Sequence, residues 1–313
     1  MTLPRILITG ASGFLGQHLL EELKEDAFII RALLRRNSNN LWTSNKDIET
    51  CIADISDKTS LEKAFQNVDL VIHLAAERCI ENNLFATNVI GVKNIIEMAK
   101  KYSIKKIIHL SSISVFGMKN CRKKIIVGDL FPCNPLTEYG KTKLESERLL
   151  NKLGLEGNIK IIVLRSEAMF GERQPEKYLV DLLNRIKNLG YIIRHKNSFA
   201  NFVYVKDVAH AIRYFLKNET GNTTLTVGES MPFQRFITML SGQLGVRCKM
   251  LSIHPYLFYL MESVNYFGIK KIKDKFESIS NCVAYDDSFM KTIIKYRYGI
   301  SFGISSTINY YKV

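Results

Sequence analysis

Five short runs are apolar at nearly every position: RILIT (5–9), FIIRALL (28–34), VDLVIHLAA (68–76), IKKIIHLSS (104–112) and IKIIVLR (159–165). A strand with one face in water alternates apolar and polar residues, whereas a strand buried on both faces does not. Between the runs lie stretches with the period of amphipathic helices: FLGQHLLEELKE (14–25), LEKAFQ (61–66), about 84–101, and Glu138 to about Leu153. Doubly buried strands joined by helices make a parallel sheet covered on both sides, wound outward in two directions by right-handed crossovers. The expected fold class is α/β, a doubly wound parallel sheet.

After Arg165 the rhythm loosens. NFVYVKDVAHAIRYFL (201–216) reads as a short strand and a helix capped by Asp207, and TTLTV (223–227) as another short strand. Helices are expected near 232–244 and 255–266. The division expected is a main α/β domain over 1–170, to which 201–217 returns, and a smaller lobe over most of 171–313 covering the carboxyl edge of the sheet. A chain of 313 residues suits that arrangement.

Composition narrows the class further. No apolar run approaches the ~20 residues that span a bilayer. Met1 is followed almost at once by Ile6-Leu7-Ile8, without space for a signal peptide, so a cytoplasmic location is expected. Cysteines at 51, 79, 121, 133, 248 and 282 form neither a CxxC pair nor a metal-spaced cluster, which predicts reduced thiols and no metal. The net charge of +14 invites a nucleic-acid reading. Its basic residues are spread, as in KKYSIKK (100–106) and CRKK (121–124), with no RNP-type strand, zinc finger or recognition helix beside them. They read as a lysine-rich surface that also attracts a pyrophosphate-bearing ligand. HPYLFYLMESVNYFGIKKIKDKF (254–276), aromatic then basic, reads as a helix of the smaller lobe rather than an interfacial anchor, so no stable membrane insertion is expected.

Where the first strand meets the first helix stands TGASGFLG, with Gly10, Gly13 and Gly16 at three-residue spacing. Backbone bared there can approach a pyrophosphate at the positive end of the helix, and Ser12, Phe14 and Leu15 share the turn. A tight strand-to-helix turn alone would also use these glycines. The second strand ends in Arg35 and Arg36 with no acid, which favours a ribose 2′-phosphate and hence NADP(H) over NAD(H), or is simply a solvated basic turn. Asp54, at the end of a third strand in IADIS (52–56) and next to Ile55, suits either an adenine amino group or a helix N-cap.

SSISVFG (111–117) precedes YGKTK (139–143), in which Tyr139 and Lys143 share one helix face. A phenol with pKa about 10 must fall by about 3 units, or roughly 4 kcal/mol, to act as a base at neutral pH. One ammonium about 4 Å away at an effective dielectric near 20 supplies about that much. A serine hydroxyl from the preceding strand end would hold the substrate oxygen beside the phenol.

Taken in this order and spacing, the segments resemble the extended short-chain dehydrogenase/reductase family, in its epimerase/dehydratase branch, from about residue 4 to 230. The resemblance implies a Rossmann-type fold with a C-terminal substrate-binding lobe, and a dinucleotide in the glycine turn. VIHLAA (71–76) resembles the strand that lines the nicotinamide ribose, bringing Leu74, Ala75 and Ala76 to the cofactor. TNVIGVKNII (87–96) places Asn88 at the family's structural asparagine, and LRSEAMFG (164–171) brings Ser166 near the nicotinamide. By the same resemblance, Ser112 orients the substrate oxygen and Tyr139 is the general acid/base. Lys143 would lower the phenol pKa and bond the ribose, while hydride passes between a substrate carbon and the nicotinamide. Departures are the short segment Ala76 to Asn88, Phe116 for a usual tyrosine, Ser166 for a usual proline, Gly128 for an acid, and Glu167, which has no family role.

The favoured function is an NAD(P)-dependent oxidoreductase or epimerase of a nucleotide sugar, leaning to an NADPH-dependent reductase and working as a homodimer through the helices around 84–101 and 138–153. The alternatives are a reductase of an apolar ketone, of the dihydroflavonol or hydroxysteroid kind, and a non-catalytic NADP-binding regulator.

Overall fold

A row of doubly buried strands needs helices on both faces, and the computed structural model supplies them. It describes residues 3–36, 48–79, 83–117, 125–175, 177–195, 197–253 and 282–313. Strands β1 (Arg5–Thr9), β2 (Ile29–Leu34), β3 (Ile48–Ile52), β4 (Leu70–His73), β5 (Lys106–Ser112), β7 (Lys160–Ser166) and β11 (Thr223–Val227) form one sheet in the order β11-β7-β5-β4-β1-β2-β3. Every neighbouring pair in it is parallel.

Successive residues of the apolar runs point to opposite faces. Ile6, Ile8, Ile72, Ile108 and Ile162 pack into one core with α1 (Phe14–Glu22) and α6 (Val205–Lys217). Leu7, Val71, Ile107, Ile161 and Val163 pack into the other, with α2 (Lys58–Phe65), α3 (Gly91–Lys101) and α4 (Glu138–Leu155). This is the doubly wound α/β class that the near-continuous apolar runs demand. The chain winds outward from β1 to β3, then crosses back to β4 and winds the other way. Loops leaving the carboxyl ends of β1 and β4 therefore diverge and open a crevice between them.

Around that carboxyl edge are the short sheet β8 (Ala168–Phe170), β10 (Phe199–Tyr204) and β12 (Glu229–Pro232), and the ladder β9 (Tyr191–His195) with β13 (Lys249–Ile253). They are joined by α5 (Tyr178–Leu189), α7 (Phe233–Gln243), α8 (Ser288–Ile293) and α9 (Gly299–Tyr311). The pair β6 (Ile125–Val127) with β14 (Val283–Tyr285) ties the C-terminal part to the loop that precedes α4. The core of this part is continuous with that of the sheet: Leu183, Phe236 and Ile300 belong to the cluster that holds Ile8.

Two local expectations change. Residues 223–227, grouped by their short strand pattern with the smaller lobe, are the edge strand of the main sheet, paired with β7 from Thr223 opposite Ile162 to Val227 opposite Ser166. Asp207 does not cap α6. It lies buried inside the first turn, and its carboxylate accepts from the amides of Tyr298 (2.9 Å) and Gly299 (2.8 Å), so it caps α9 instead. The helix expected near 255–266, the basic segment 270–275 and CRKK (121–124) lie outside the described residues.

Candidate active site

Gly10 ends β1 with φ +72°, a conformation in which a side chain is strained. A Cβ there would sit 2.7 Å from the Ala75 amide nitrogen, so the turn after β1 lies directly on the loop after β4. At Gly16 a Cβ would overlap the carbonyl oxygens of Gly10 and Ala11. The loop is thereby pulled tight against α1, which begins at Gly13 with no side-chain cap and no acid in its first turn. Backbone donors at a bare, positive helix end suit a pyrophosphate. The residues present fit a dinucleotide.

Across the crevice, Ser112 closes β5 and caps the short 3₁₀ turn Ile113–Phe116, accepting from the Ser114 amide at 3.2 Å. Thr137 caps α4 through the Gly140 amide at 3.0 Å, which sets Tyr139 in the first turn. The Ser112 hydroxyl neighbours the Tyr139 phenol and pulls its pKa down, and both residues line one cleft. The neighbouring serine is committed elsewhere, since Ser111 donates to Glu147 at 2.5 Å. Ser112 is thus the serine with a hydroxyl at the phenol.

Both sides meet in a cleft of about 660 Å³. Gly10, Gly13, Phe14, Leu15 and Gly16 line one end with Leu74 and Ala76. Ser112, Tyr139 and Ser166 line the cleft too, as do Glu167, Met169, Gln174, Tyr178 and Tyr285. Tyr178 donates to the Met169 carbonyl at 2.7 Å and Gln174 to the same oxygen at 3.2 Å, so both polar ends are engaged within the wall. Ser166 donates to the Glu167 carbonyl at 2.7 Å.

Lys143, one turn after Tyr139, is 2% exposed. Its Nζ donates to the Leu110 carbonyl at 2.6 Å and lies 3.3 Å from His109 Nε2. Burial lowers its pKa to about 8 against the opposing charge of Glu147. Burial raises the Tyr139 phenol, while the charge of Arg78 and the Ser112 hydrogen bond pull it down. Arg78, from the loop after β4, is a cation near the phenol that spacing alone did not point to. The long lysine stem runs inward to satisfy its ammonium on the sheet end.

Asn88 sits in the π-helical turn Ala86–Ile90 that leads into α3. It accepts from the Glu77 amide at 2.8 Å and donates to the Glu77 carbonyl at 2.9 Å and to Thr142 Oγ1 at 3.0 Å. It ties the loop after β4 to the helix carrying Tyr139 and Lys143, as a brace. Below it, Arg165 and Glu147 form a buried bidentate pair, with Arg165 Nη1 donating to the Asp129 carbonyl and its guanidinium 4.8 Å from the Phe116 ring centroid.

Other residues singled out by sequence lie away from the cleft. Arg35 and Arg36 are exposed at the carboxyl end of β2. Asp54 does not cap α2: Asp57 does, through the Thr59 amide at 3.0 Å, whereas Asp54 holds the amide and hydroxyl of Ser56 in a local turn. Ile55 is core, packed where Gly91 lacks a side chain. Ser12 contributes its carbonyl to Gln17 (3.0 Å), and Ala75 its amide to Thr9 (3.3 Å). The described cysteines 51, 79, 133, 248 and 282 are free thiols; Cys121 lies outside the described residues. Among the described residues no cluster could hold a metal ion, and no helix is long and apolar enough to cross a membrane.

Sequence reasoning missed Arg78, His73 and His109. The signal for the histidines was present, because IH recurs at the same offset in LVIH and KIIH, a polar residue in strands otherwise apolar.

The profile of the NAD dependent epimerase/dehydratase family matches residues 6–228, and the chain belongs to that family. It is 33% identical over 303 residues to a protein named putative UDP-glucose 4-epimerase from Methanocaldococcus jannaschii, covering 89% of this chain and 97% of that one. It is also 26% identical over 254 residues to the human sterol-4-alpha-carboxylate 3-dehydrogenase, decarboxylating, covering 75% and 65% respectively. The crystal structure of UDP-glucose 4-epimerase with UDP-glucose from Thermotoga maritima shares the fold, with TM-score 0.76 at 20% identity over 98% of both chains. The chain is an oxidoreductase-type enzyme of the epimerase/dehydratase class.

Proposed function

We propose that the enzyme oxidises and re-reduces, or reduces, a ring carbon of a nucleotide sugar, and that Tyr139, Ser112 and Lys143 are its catalytic group. The observation that carries this reading is that Ser112 and Tyr139 line the same cleft as the glycine cradle. Gly10, Gly13, Phe14, Leu15 and Gly16 would hold the pyrophosphate, and Leu74, Ala76 and Ser166 the nicotinamide half. The bound nicotinamide dinucleotide supplies a two-electron acceptor and donor at the substrate carbon. Tyr139 takes the proton from the substrate hydroxyl as the carbon is oxidised and returns it on reduction. Ser112 holds that oxygen, and Lys143 and Arg78 supply positive charge that stabilises the phenolate. The near full-length similarity to a protein named a UDP-glucose 4-epimerase supports a nucleotide sugar as substrate.

A second reading, an NADPH-dependent reductase, is favoured by Arg35 and Arg36, exposed at the end of β2 where the strand end offers no acid. The similarity to a sterol dehydrogenase and the aromatic wall of Tyr178 and Tyr285 extend this reading to a more apolar ketone. We also propose a cytoplasmic homodimer, to be read by light scattering. Denaturing fresh protein, identifying the released nucleotide and titrating stripped protein with NADH and NADPH separates the readings. Retained NAD supports epimerisation, and exchangeable binding with NADPH preferred tenfold, about 1.4 kcal/mol, supports the reductase. Tyr139→Phe should lower kcat by about 10²–10⁴ with nucleotide binding kept; full activity in that variant would remove Tyr139 from the catalytic group.

A further inference from the structure

A buried parallel sheet is filled by aliphatic side chains, yet a polar row crosses three neighbouring strands, at the carboxyl ends of β1 and β4 and in the middle of β5. Thr9 of β1 pairs in register with His73 of β4, and His73 with His109 of β5. All three side chains are buried. Thr9 Oγ1 accepts from the Ala75 amide at 3.3 Å and hydrogen-bonds His73 Nδ1 at 2.7 Å. The His73 and His109 rings stack at 5.1 Å with 22° between planes. The far ring meets Lys143, whose Nζ is 3.3 Å from His109 Nε2.

The tautomer follows from the partner. An ammonium only donates, so His109 Nε2 accepts and the ring proton sits on Nδ1. That Nδ1 is buried and has no hydrogen-bond partner. A phenylalanine would fill the same space without leaving a polar atom unsatisfied, so packing alone does not account for the imidazole. Its other nitrogen does, because it faces the ammonium.

We propose that His109 is the positioning residue of Lys143: its neutral ring, held flat by His73 and ultimately by the Thr9–Ala75 contact at the cofactor cradle, aims the ammonium and keeps it charged. The inference rests on the reading of Lys143 as a catalytic group. One hydrogen goes to Leu110 and one to His109, which fixes the direction of the ammonium. The charged and titratable groups around the ammonium are His109 on β5, His73 on β4, and Tyr139 and Glu147 on α4. Glu147 is itself paired with Arg165 of β7, and Arg78 faces Tyr139 from the loop after β4. Burial keeps both imidazoles neutral, His73 to about 3. They act as an acceptor and its support, not as added cations.

The test is the titration of Lys143 itself, read as the ¹³Cε resonance of labelled lysine and assigned by its loss in Lys143→Arg. His109→Phe keeps the ring and removes the acceptor; His109→Gln puts an amide oxygen where Nε2 was. Expected is a fall in the Lys143 midpoint of about one unit or more in His109→Phe, tenfold in proton affinity, since a hydrogen bond to a charged group is lost. His109→Gln should return the midpoint to within about 0.3 units, and the alkaline limb of the kcat profile should follow. An unmoved midpoint in His109→Phe, or a Gln variant no better than Phe, would overturn the inference. Should His109→Phe not fold, His109→Asn, whose amide stops at the Nδ1 position, replaces it with the same criteria. The resonance titrates without turnover. A protein that converts no nucleotide sugar but shows these shifts therefore refutes only the functional reading. An active protein with a lethal Tyr139→Phe and no shift refutes only the role of His109.

Discussion

Replacing Glu147 by Gln should be among the most damaging isosteric changes in the chain. Glu147 is 1% exposed and Arg165 7% exposed. Their contacts are 2.8 Å from Arg165 Nη2 and 3.1 and 3.2 Å from Nε, and Ser111 donates to the same carboxylate. An amide at 147 loses the charge and turns an NH₂ toward the guanidinium or toward Ser111. Arg165 keeps the Asp129 carbonyl, the face of Phe116 and the more distant charge of Asp129, but no paired carboxylate. Leaving one member of a buried pair uncompensated costs about 3–5 kcal/mol. With an unfolding entropy of about 2.1 cal/mol/K per residue over 313 residues, that is a fall in Tm of about 5–8 °C. Calorimetry at neutral pH measures it. The double change Glu147→Leu with Arg165→Met should recover at least half of the loss, because removing both charges removes the desolvation cost as well. A fall below about 2 °C for Glu147→Gln would refute the argument that this pair is dry and uncompensated.

Glu167 is buried against Ser230, and burial pushes its carboxyl well above the ordinary carboxylate range. Below the ordinary value both folded and unfolded states hold the proton; above it the unfolded chain releases it first, so this group costs stability as pH rises. Glu167→Gln should therefore gain on the wild type by about 1.4 kcal/mol per pH unit above the ordinary value until the folded acid titrates. Denaturant midpoints at pH 4, 6 and 8 that track in parallel for the two proteins would contradict this. Gly16→Ala forces a methyl group onto backbone oxygens that cannot retreat, at about 1–3 kcal/mol of stability. Dinucleotide titration should show at least tenfold weaker binding, and unaltered affinity would remove the glycine turn from the site.

Much of this was legible in one dimension. A run such as VDLVIH reports the strand period and the burial of both faces, and the order of such runs prescribes the parallel, doubly wound sheet. TGASGFLG, SSISVFG and YGKTK kept their spacing because a βα turn, a strand end and a helix turn are local structures. Local spacing could not choose the electrostatic partner of Tyr139, since Arg78 arrives from a loop some 60 residues earlier. Nor could it find the donors for Asp207, which caps a helix 91 residues downstream. The short run 223–227 has the same appearance at a sheet edge or in a lobe.

Backbone period and the two buried faces are written residue by residue, so the sequence determined the sheet, its helices and the chemical types gathered at its carboxyl edge. Which side chains meet there is a matter of register between strands. Only packing aligns Thr9 with His73 and His109 in adjacent strands and brings Lys143 to the end of that row. An ammonium placed out of water must find its acceptors wherever the assembled fold supplies them.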